Sequence, residues 1–143
     1  MSTCAKWGLQ SMSVKIFVNL PVTDLTKSIE FFAALGFAHN PQFTDENASC
    51  VVFGDTVYAM LVTKPFFKTF TTKEIADSAT TTEAIVALSL DSREQVDEVA
   101  DKALAAGGGF VKEAEDHGFM YGRSFEDLDG HIWNLFWMDE SAA

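Results

Sequence analysis

The chain has 143 residues, 48% of them hydrophobic, and a formal net charge of −11 at pH 7. This length and composition predict one globular domain with a sizeable core and argue against a disordered chain. The acidic balance and the scattered lysines and arginines argue against nucleic-acid and membrane partners. The two cysteines, Cys4 and Cys50, fit a reducing compartment, and no apolar run could span a bilayer, so a cytoplasmic protein is expected.

Residues 1–12 show no signal-peptide pattern and are expected to form a loose extension before a single domain of residues 13–143. In the strand predicted over 14–21, Ile16, Val18 and Leu20 point one way, while Phe17 and Asn19 point the other. A helix should follow over about 25–35, capped by Asp24 and ended by Gly36. Short strands are then expected over 37–43, 48–53 and 57–63.

The aromatic run near Phe66 could be a lid over a cavity or part of the core, and it opens a linker over 66–83. The strand–helix pattern then restarts with a strand over 84–90 and a helix capped by Ser92. That helix should bury Val96, Val99, Ala100, Ala103 and Leu104, and its acidic face is expected to be solvated. Strands over 110–112, 119–125 and 131–138 complete the chain, with Asp129-Gly130 as a two-residue hairpin turn.

The order β-α-β-β-β therefore occurs twice, in a first module over 14–65 and a second over 84–138. Each module is too small to cover its own sheet, so the two should pair. The predicted fold class is α+β, with two βαβββ modules forming a curved mixed sheet around a concave cavity and helices on the outer face. Internal duplication is the most economical account of this pattern.

Several of these segments carry a family likeness. The strand Ile16–Val22, the helix end Leu35-Gly36-Phe37 and the run from Asp127 to Trp133 resemble the glyoxalase/bleomycin resistance/extradiol dioxygenase superfamily, also called the vicinal oxygen chelate fold. The resemblance spans 14–138 and implies a homodimer. It is specific for fold and weak for activity, because the superfamily includes both enzymes and metal-free drug binders.

Metal-dependent members of this superfamily hold one divalent ion with His and Glu side chains in the concave sheet. By the resemblance, the four ligand positions fall on Phe17, Met60, Ile85 and Asn134 in this chain. Phenylalanine and isoleucine offer no lone pair, methionine is a soft ligand, and one asparagine oxygen is too little alone. We therefore expect no metal site and no cofactor.

The concave face is instead expected to bind a small molecule, because an apolar bowl with a few polar groups is typical of such sites. The strand predicted over 119–125 leaves two alternate sets open: Tyr121 with Arg123, which we favour, or Met120 with Ser124. The alternative is that these side chains fill the bowl as a second core. The predicted ligand-binding residues are Phe17, Asn19, Tyr58, Met60, Ile85, Tyr121, Arg123, Asn134 and Phe136.

Three functions stay open on the sequence alone. The first is a metal-free binder of an aromatic or amphipathic compound. The second is a divergent glyoxalase-like lyase or dioxygenase that uses a metal or acid/base groups elsewhere, with His117, Glu126, Asp127 and Asn134 as the residues to test. The third is a structural or regulatory dimer with a filled cavity. His131, on the face opposite Asn134, is expected to pack or hydrogen-bond at the sheet edge.

Overall fold

The computed structural model describes residues 13–142, so the extension predicted over 1–12 lies outside the described residues. The first module contains four strands and one main helix. In chain order these are β1 (Ile16–Val22), α1 (Leu25–Leu35), β2 (His39–Asn40), β3 (Ala48–Val52) and β4 (Val57–Thr63). The strands form sheet A in the order β1-β4-β3-β2, with β1 parallel to β4 and at the sheet edge.

The connection to the second module begins with a one-turn helix, α2 (Lys64–Phe67), and the 3-10 turn Lys68–Phe70. The second module repeats the pattern of the first. It comprises β5 (Ile85–Ser89), α3 (Arg93–Ala105), β6 (Gly109–Phe110), β7 (Glu115–Asp116), β8 (Met120–Glu126) and β9 (Ile132–Met138). These strands form sheet B in the order β5-β9-β8-β6, with β7 also paired to β8 and β5 parallel to β9. The predicted α+β class and duplicated module are confirmed, as two mixed sheets.

The helix ends follow the predicted capping chemistry. The Asp24 carboxylate accepts from the Lys27 backbone N–H at 3.1 Å, and Gly36 adopts a left-handed φ of 104°. The Ser92 hydroxyl accepts from the Gln95 N–H at 3.1 Å. Side-chain oxygens at these positions satisfy amides that the first helical turn leaves free. None of the helices between residues 13 and 142 combines the length and hydrophobicity needed to cross a lipid bilayer.

One hydrophobic core joins the two modules. The Phe32 ring of α1 lies edge-on to the Trp133 ring of β9, with 5.2 Å between centroids, and Phe31 lies 6.0 Å from Phe125 of β8. Aromatic pairs in this range contribute beyond the area they bury. Each sheet therefore has a helix-covered face that looks into this core and an opposite face, called here the open face. The largest fully buried core residues are Trp133, Phe32, Phe125, Leu61 and Leu135.

Several predicted boundaries were wrong. The strand expected over 37–43 is limited to two residues, because Pro41, which lacks a backbone N–H, starts a 3-10 turn. The strand expected over 110–112 ends at Phe110. Leu104 is 37% exposed, because it lies to one side of the stripe that faces the core. The Asp129-Gly130 turn spans 127–131, although Gly130 has the expected positive φ of 87°.

Candidate functional site

The open face of sheet A carries four of the predicted ligand-binding residues. The register of β1 on β4 pairs Phe17 with Tyr58 and Asn19 with Met60, and paired residues in neighbouring strands share a face. The Phe17 and Tyr58 rings stack, with 4.6 Å between centroids and 10° between planes. Phe17 is still 47% exposed. This face therefore offers a flat aromatic surface beside an amide side chain.

The open face of sheet B carries three more of them. The β5–β9 register places Ile85 beside Ile132 and Ala87 beside Asn134, and Phe136 follows on the same side. Gly122 of β8 lies opposite Phe136, and a Cβ built there would lie 3.5 Å from Asn134 Oδ1. The absence of a side chain at Gly122 therefore leaves a small recess beside the Asn134 amide.

The four positions that the sequence resemblance assigns to the superfamily's metal ligands lie on these open faces. Phe17 and Met60 belong to sheet A, while Ile85 and Asn134 belong to sheet B. This set offers one amide oxygen and one thioether sulfur, which do not fit the hard divalent ions that carboxylate and imidazole ligands hold. Within residues 13–142, no group of three or more His, Cys, Asp or Glu side chains is placed to hold a metal ion.

Tyr121 and Arg123 do not lie on the open face, so the favoured set on β8 was wrong. The β8–β9 register places Tyr121 opposite Trp137 and Arg123 opposite Leu135, on the helix-covered face. Met120 and Ser124, the alternative set, share the open face, and Ser124 lies directly opposite Asn134. Side chains alternate strictly along a strand, so choosing the wrong phase displaces the whole set.

Tyr121 and Arg123 instead tie β8 to α3. The Tyr121 hydroxyl donates to Asp97 at 2.6 Å, and Arg123 reaches Asp97 at 3.0 Å and Asp101 at 2.9 Å. The Tyr121 hydroxyl and Arg123 lower the pKa of Asp97, and the same tyrosine–aspartate bond raises the pKa of Tyr121. The acidic face of this helix, expected to be solvated, is therefore partly engaged in packing against sheet B.

Arg93, at the start of α3, holds β7 and the loop that follows it. Its guanidinium makes two hydrogen bonds to the Asp116 carboxylate, at 3.0 and 2.8 Å, and lies over the Tyr121 and Trp137 rings. The Arg93 side chain and the Gly118 backbone N–H lower the pKa of Asp116 to about 2. His117 lies beside this pair on an exposed loop, and its backbone N–H donates to Met120.

Asp127 is a buried carboxylate that shapes the β8–β9 turn. Its Oδ1 accepts from the backbone N–H groups of Asp129 and His131, and its Oδ2 accepts from Trp133 Nε1, all at 3.0 Å. Burial raises the pKa of Asp127, and the His131 ring and these hydrogen bonds partly oppose that rise. All of its bonds go to structural groups, so this carboxylate acts as a turn clamp.

The turn also joins the two modules. His131 Nε2 lies 2.8 Å from the Pro21 carbonyl oxygen, and the Asp129 carboxylate accepts from the Thr23 N–H at 2.9 Å. Because a carbonyl oxygen can only accept, Nε2 is the nitrogen that carries the proton. The expectation that His131 would hydrogen-bond at a sheet edge is confirmed, and its partner is the edge strand β1.

Two cavities lie near this junction, and Asn19 is the one predicted ligand-binding residue that lines either of them. A polar cavity of about 370 Å³ is lined by Lys64 and by carboxylates that include Asp77 and Glu126. A largely apolar cavity of about 430 Å³ lies against β1 and the linker. The apolar cavity was not predicted, because residues far apart in the chain build it.

The chain belongs to the glyoxalase/bleomycin resistance protein/dioxygenase superfamily, whose family model matches residues 16–135. This confirms the resemblance expected from the sequence. No protein of curated function matches the chain.

Solved structures share the fold of this chain. The hypothetical protein SA1046 from S. aureus is 31% identical, with a TM-score of 0.75 over 91% of this chain and 98% of that one. A glyoxalase/bleomycin resistance protein/dioxygenase family enzyme from Burkholderia phytofirmans PsJN is 14% identical, with a TM-score of 0.74 over 88% and 99% of the two chains. The fosfomycin resistance protein FosX from Listeria monocytogenes is 18% identical, with a TM-score of 0.63 over 89% and 92%. The latter two likenesses concern the fold alone.

Proposed function

We propose that this protein is a metal-free small-molecule binder of its superfamily, and that the open faces of the two sheets recognise an aromatic or amphipathic compound. The observation that carries the proposal is the replacement of all four ligand positions by Phe17, Met60, Ile85 and Asn134. These side chains cannot hold a hard divalent ion, but they suit apolar contact with one directional amide.

The chemistry of the open faces supports this choice of ligand. The stacked Phe17–Tyr58 pair presents a flat ring surface on sheet A. On sheet B, the Asn134 amide lies beside the recess at Gly122 and opposite Ser124. Ring faces favour stacking with aromatic compounds, and an amide with a neighbouring hydroxyl can fix the orientation of one polar group.

A second copy of the chain is part of the proposal. Ile16 and Phe17 on β1 are 52% and 47% exposed, and Ile85 on β5 is 58% exposed. Large apolar side chains grouped at strand edges and open faces are characteristic of contact surfaces. A homodimer would cover them and enclose the bound compound between sheets of two chains. Sedimentation measurements on the free protein, and on an Ile85→Asp variant that places a charge in the contact, test this point.

Metal content is the first experiment. We expect purified protein to contain no stoichiometric metal, and calorimetric titration with Ni²⁺, Zn²⁺, Fe²⁺ and Mn²⁺ to show no tight site. One tightly bound ion per chain would contradict the proposal and favour the divergent lyase or dioxygenase. In that case Asn134→Ala would identify the site, because it removes the one oxygen donor among the four positions.

Ligand binding is the second experiment. A thermal-shift screen of aromatic and amphipathic compounds should find stabilising ligands, because a compound that binds only the folded state raises the melting temperature. Phe17→Ala and Phe136→Ala should each weaken such a ligand at least tenfold. Phe43→Ala is the matched control, since Phe43 is 62% exposed in the 3-10 turn outside both sheets. Equal losses in all three variants would contradict binding at the open faces.

A further inference from the structure

The apolar cavity of about 430 Å³ lies against the edge of β1. Four consecutive residues of that strand line it, from Val18 to Pro21. Successive side chains of a strand point to opposite faces, so four in a row can line one cavity only if the cavity faces the strand edge. The volume falls within the range of small-molecule sites, roughly 300–1,000 Å³.

The strand edge that faces this cavity has unpaired backbone groups. The Ile16 N–H donates to Thr56 O, towards β4, so the backbone groups of Val18 and Leu20 also face β4. Those of Phe17, Asn19 and Pro21 therefore point away from it. An edge strand leaves such groups free unless something covers them.

Two of the other outward groups, the carbonyls of Phe17 and Pro21, already have partners. The Phe17 carbonyl accepts from the Asn19 side chain at 3.2 Å, and the Pro21 carbonyl accepts from His131 Nε2 at 2.8 Å. The Asn19 N–H and C=O point away from β4, and among residues 13–142 they have no hydrogen-bond partner. They form an adjacent donor and acceptor on the wall of the cavity.

The rest of the lining is mostly apolar. Phe67, Ile75, Val86 and Ile132 contribute side chains from the connection, β5 and β9. The charged lining residues include both signs, with Lys73 next to Glu74, so the cavity does not select strongly for an ionised ligand. None of the superfamily's four ligand positions lines it. The cavity therefore meets the open faces at Asn19 and Ile132 but lies apart from the four ligand positions.

We propose that this cavity is a second binding site, for small neutral compounds with an apolar body and one amide-like donor–acceptor pair. The ligand's carbonyl accepts from the Asn19 N–H, and its N–H donates to the Asn19 C=O, as an added strand would. The apolar body occupies the space between Phe67, Val86 and Ile132. Aromatic and aliphatic carboxamides and lactams have this chemistry.

Benzamide is a direct probe of the site. In a titration of the full ¹⁵N-labelled chain, we expect saturable shifts of the Asn19 backbone amide and of the Val86 and Ile132 amides. Ethylbenzene has a similar body without the polar pair, and it should bind at least tenfold more weakly. Failure of benzamide to bind up to its solubility limit would overturn the proposal.

Substitutions at two positions test the polar pair and the cavity separately. Asn19→Pro removes the N–H at an unpaired edge position, whereas Asn19→Ala keeps it, so only the proline variant should lose benzamide binding tenfold or more.

Ala76→Trp should fill the cavity and abolish binding. Thr72→Trp is the control, because Thr72 is exposed in the same connection and does not line the cavity, and it should leave binding unchanged. Unchanged binding in the folded Ala76→Trp protein would overturn the assignment. Phe136→Ala should weaken ligands of the open faces but leave the benzamide-induced shifts of the Asn19 and Val86 amides intact, so failure here is distinguishable from failure of the open-face proposal.

Discussion

The two faces of each sheet use alternate residues of the same strands in opposite ways. On the helix-covered face, Trp133 and Leu135 of β9 are 0% exposed. On the open face, Phe17 of β1 and Ile85 of β5 are about half exposed, at 47% and 58%. The period of two along a strand therefore separates residues that stabilise the domain from residues that are free to contact a ligand or a second chain.

Polar chemistry divides in the same way. Arg93, Arg123 and Asp127 all have partners on the helix-covered side or in the turn beside it. Among the described residues, no buried side-chain nitrogen or oxygen lacks a hydrogen-bond partner. Substitutions on the helix-covered side should therefore change stability first, and substitutions on the open side should change binding first.

The largest expected effect is at Trp133. Its ring contacts Phe32 and Phe53, with centroids 5.2 and 5.4 Å away, and it is fully buried. Trp133→Ala should lower the free energy of unfolding by about 3–5 kcal/mol, because it leaves a cavity in the shared core. Denaturant titration followed by circular dichroism measures this loss.

Phe17→Ala is the matched open-face comparison. It removes a ring that stacks on Tyr58 but remains 47% exposed. The free energy of unfolding should fall by about 0.5–1.5 kcal/mol, which is the contribution of an aromatic pair. If Phe17→Ala destabilised the monomeric chain as much as Trp133→Ala does, the two faces would not have the separate roles assigned to them.

Asp127 should give an intermediate effect. Asp127→Asn can still accept the two turn amides through its oxygen, but its NH₂ cannot accept from Trp133 Nε1. A buried indole N–H without a partner costs about 1–3 kcal/mol of unfolding free energy. Thermal and chemical denaturation should both report this loss.

The pH dependence separates the charge of Asp127 from its hydrogen bonds. Because burial raises its pKa above the ordinary 3.8, the folded protein binds this proton more tightly than the unfolded chain does. Its contribution to stability therefore falls as pH rises from about 3.8 through the raised pKa. Asp127→Asn should remove this fall while keeping the turn. If the unfolding free energy of Asp127→Asn fell equally with rising pH, the pH dependence would come from other groups.

The sequence was sufficient for the parts of the fold that depend on local patterns. Alternation identified β1, and the caps at Asp24 and Ser92 placed both main helices correctly. The family resemblance also identified the superfamily. Strand alternation and helix capping depend on residues close together in the chain, so a single segment is enough to predict them.

The sequence was not sufficient where distant segments meet. The β8 phase was misjudged because Arg123 was considered as a ligand contact, although Phe125 shares its phase and is apolar. Asp97 and Asp101, four residues apart on one helix face, were the available sign of its true partners. The cavity against β1 could not be foreseen, because it depends on where the linker lies over two strand edges.

The smallest expected effect concerns Asp116, at the exposed rim of the helix-covered side. Arg93 and the Gly118 N–H lower its pKa to about 2, from an ordinary 3.8. A carboxyl with a depressed pKa stabilises the fold above its unfolded pKa and loses that contribution as pH falls through the folded value. The side-chain carboxyl resonance of Asp116, followed by NMR as a function of pH, should titrate near pH 2 and not near 3.8.

Arg93→Gln should move that midpoint back towards 3.8, because it removes the cation and the two charge-assisted bonds while leaving the Gly118 N–H in place. The change in overall stability should be small, since exposed ion pairs contribute little. Ligand binding at the open faces should not change, because Arg93 lies against Tyr121 and Trp137 on the other side of sheet B. A loss of that binding in Arg93→Gln would mean that the helix-covered side also controls the open face.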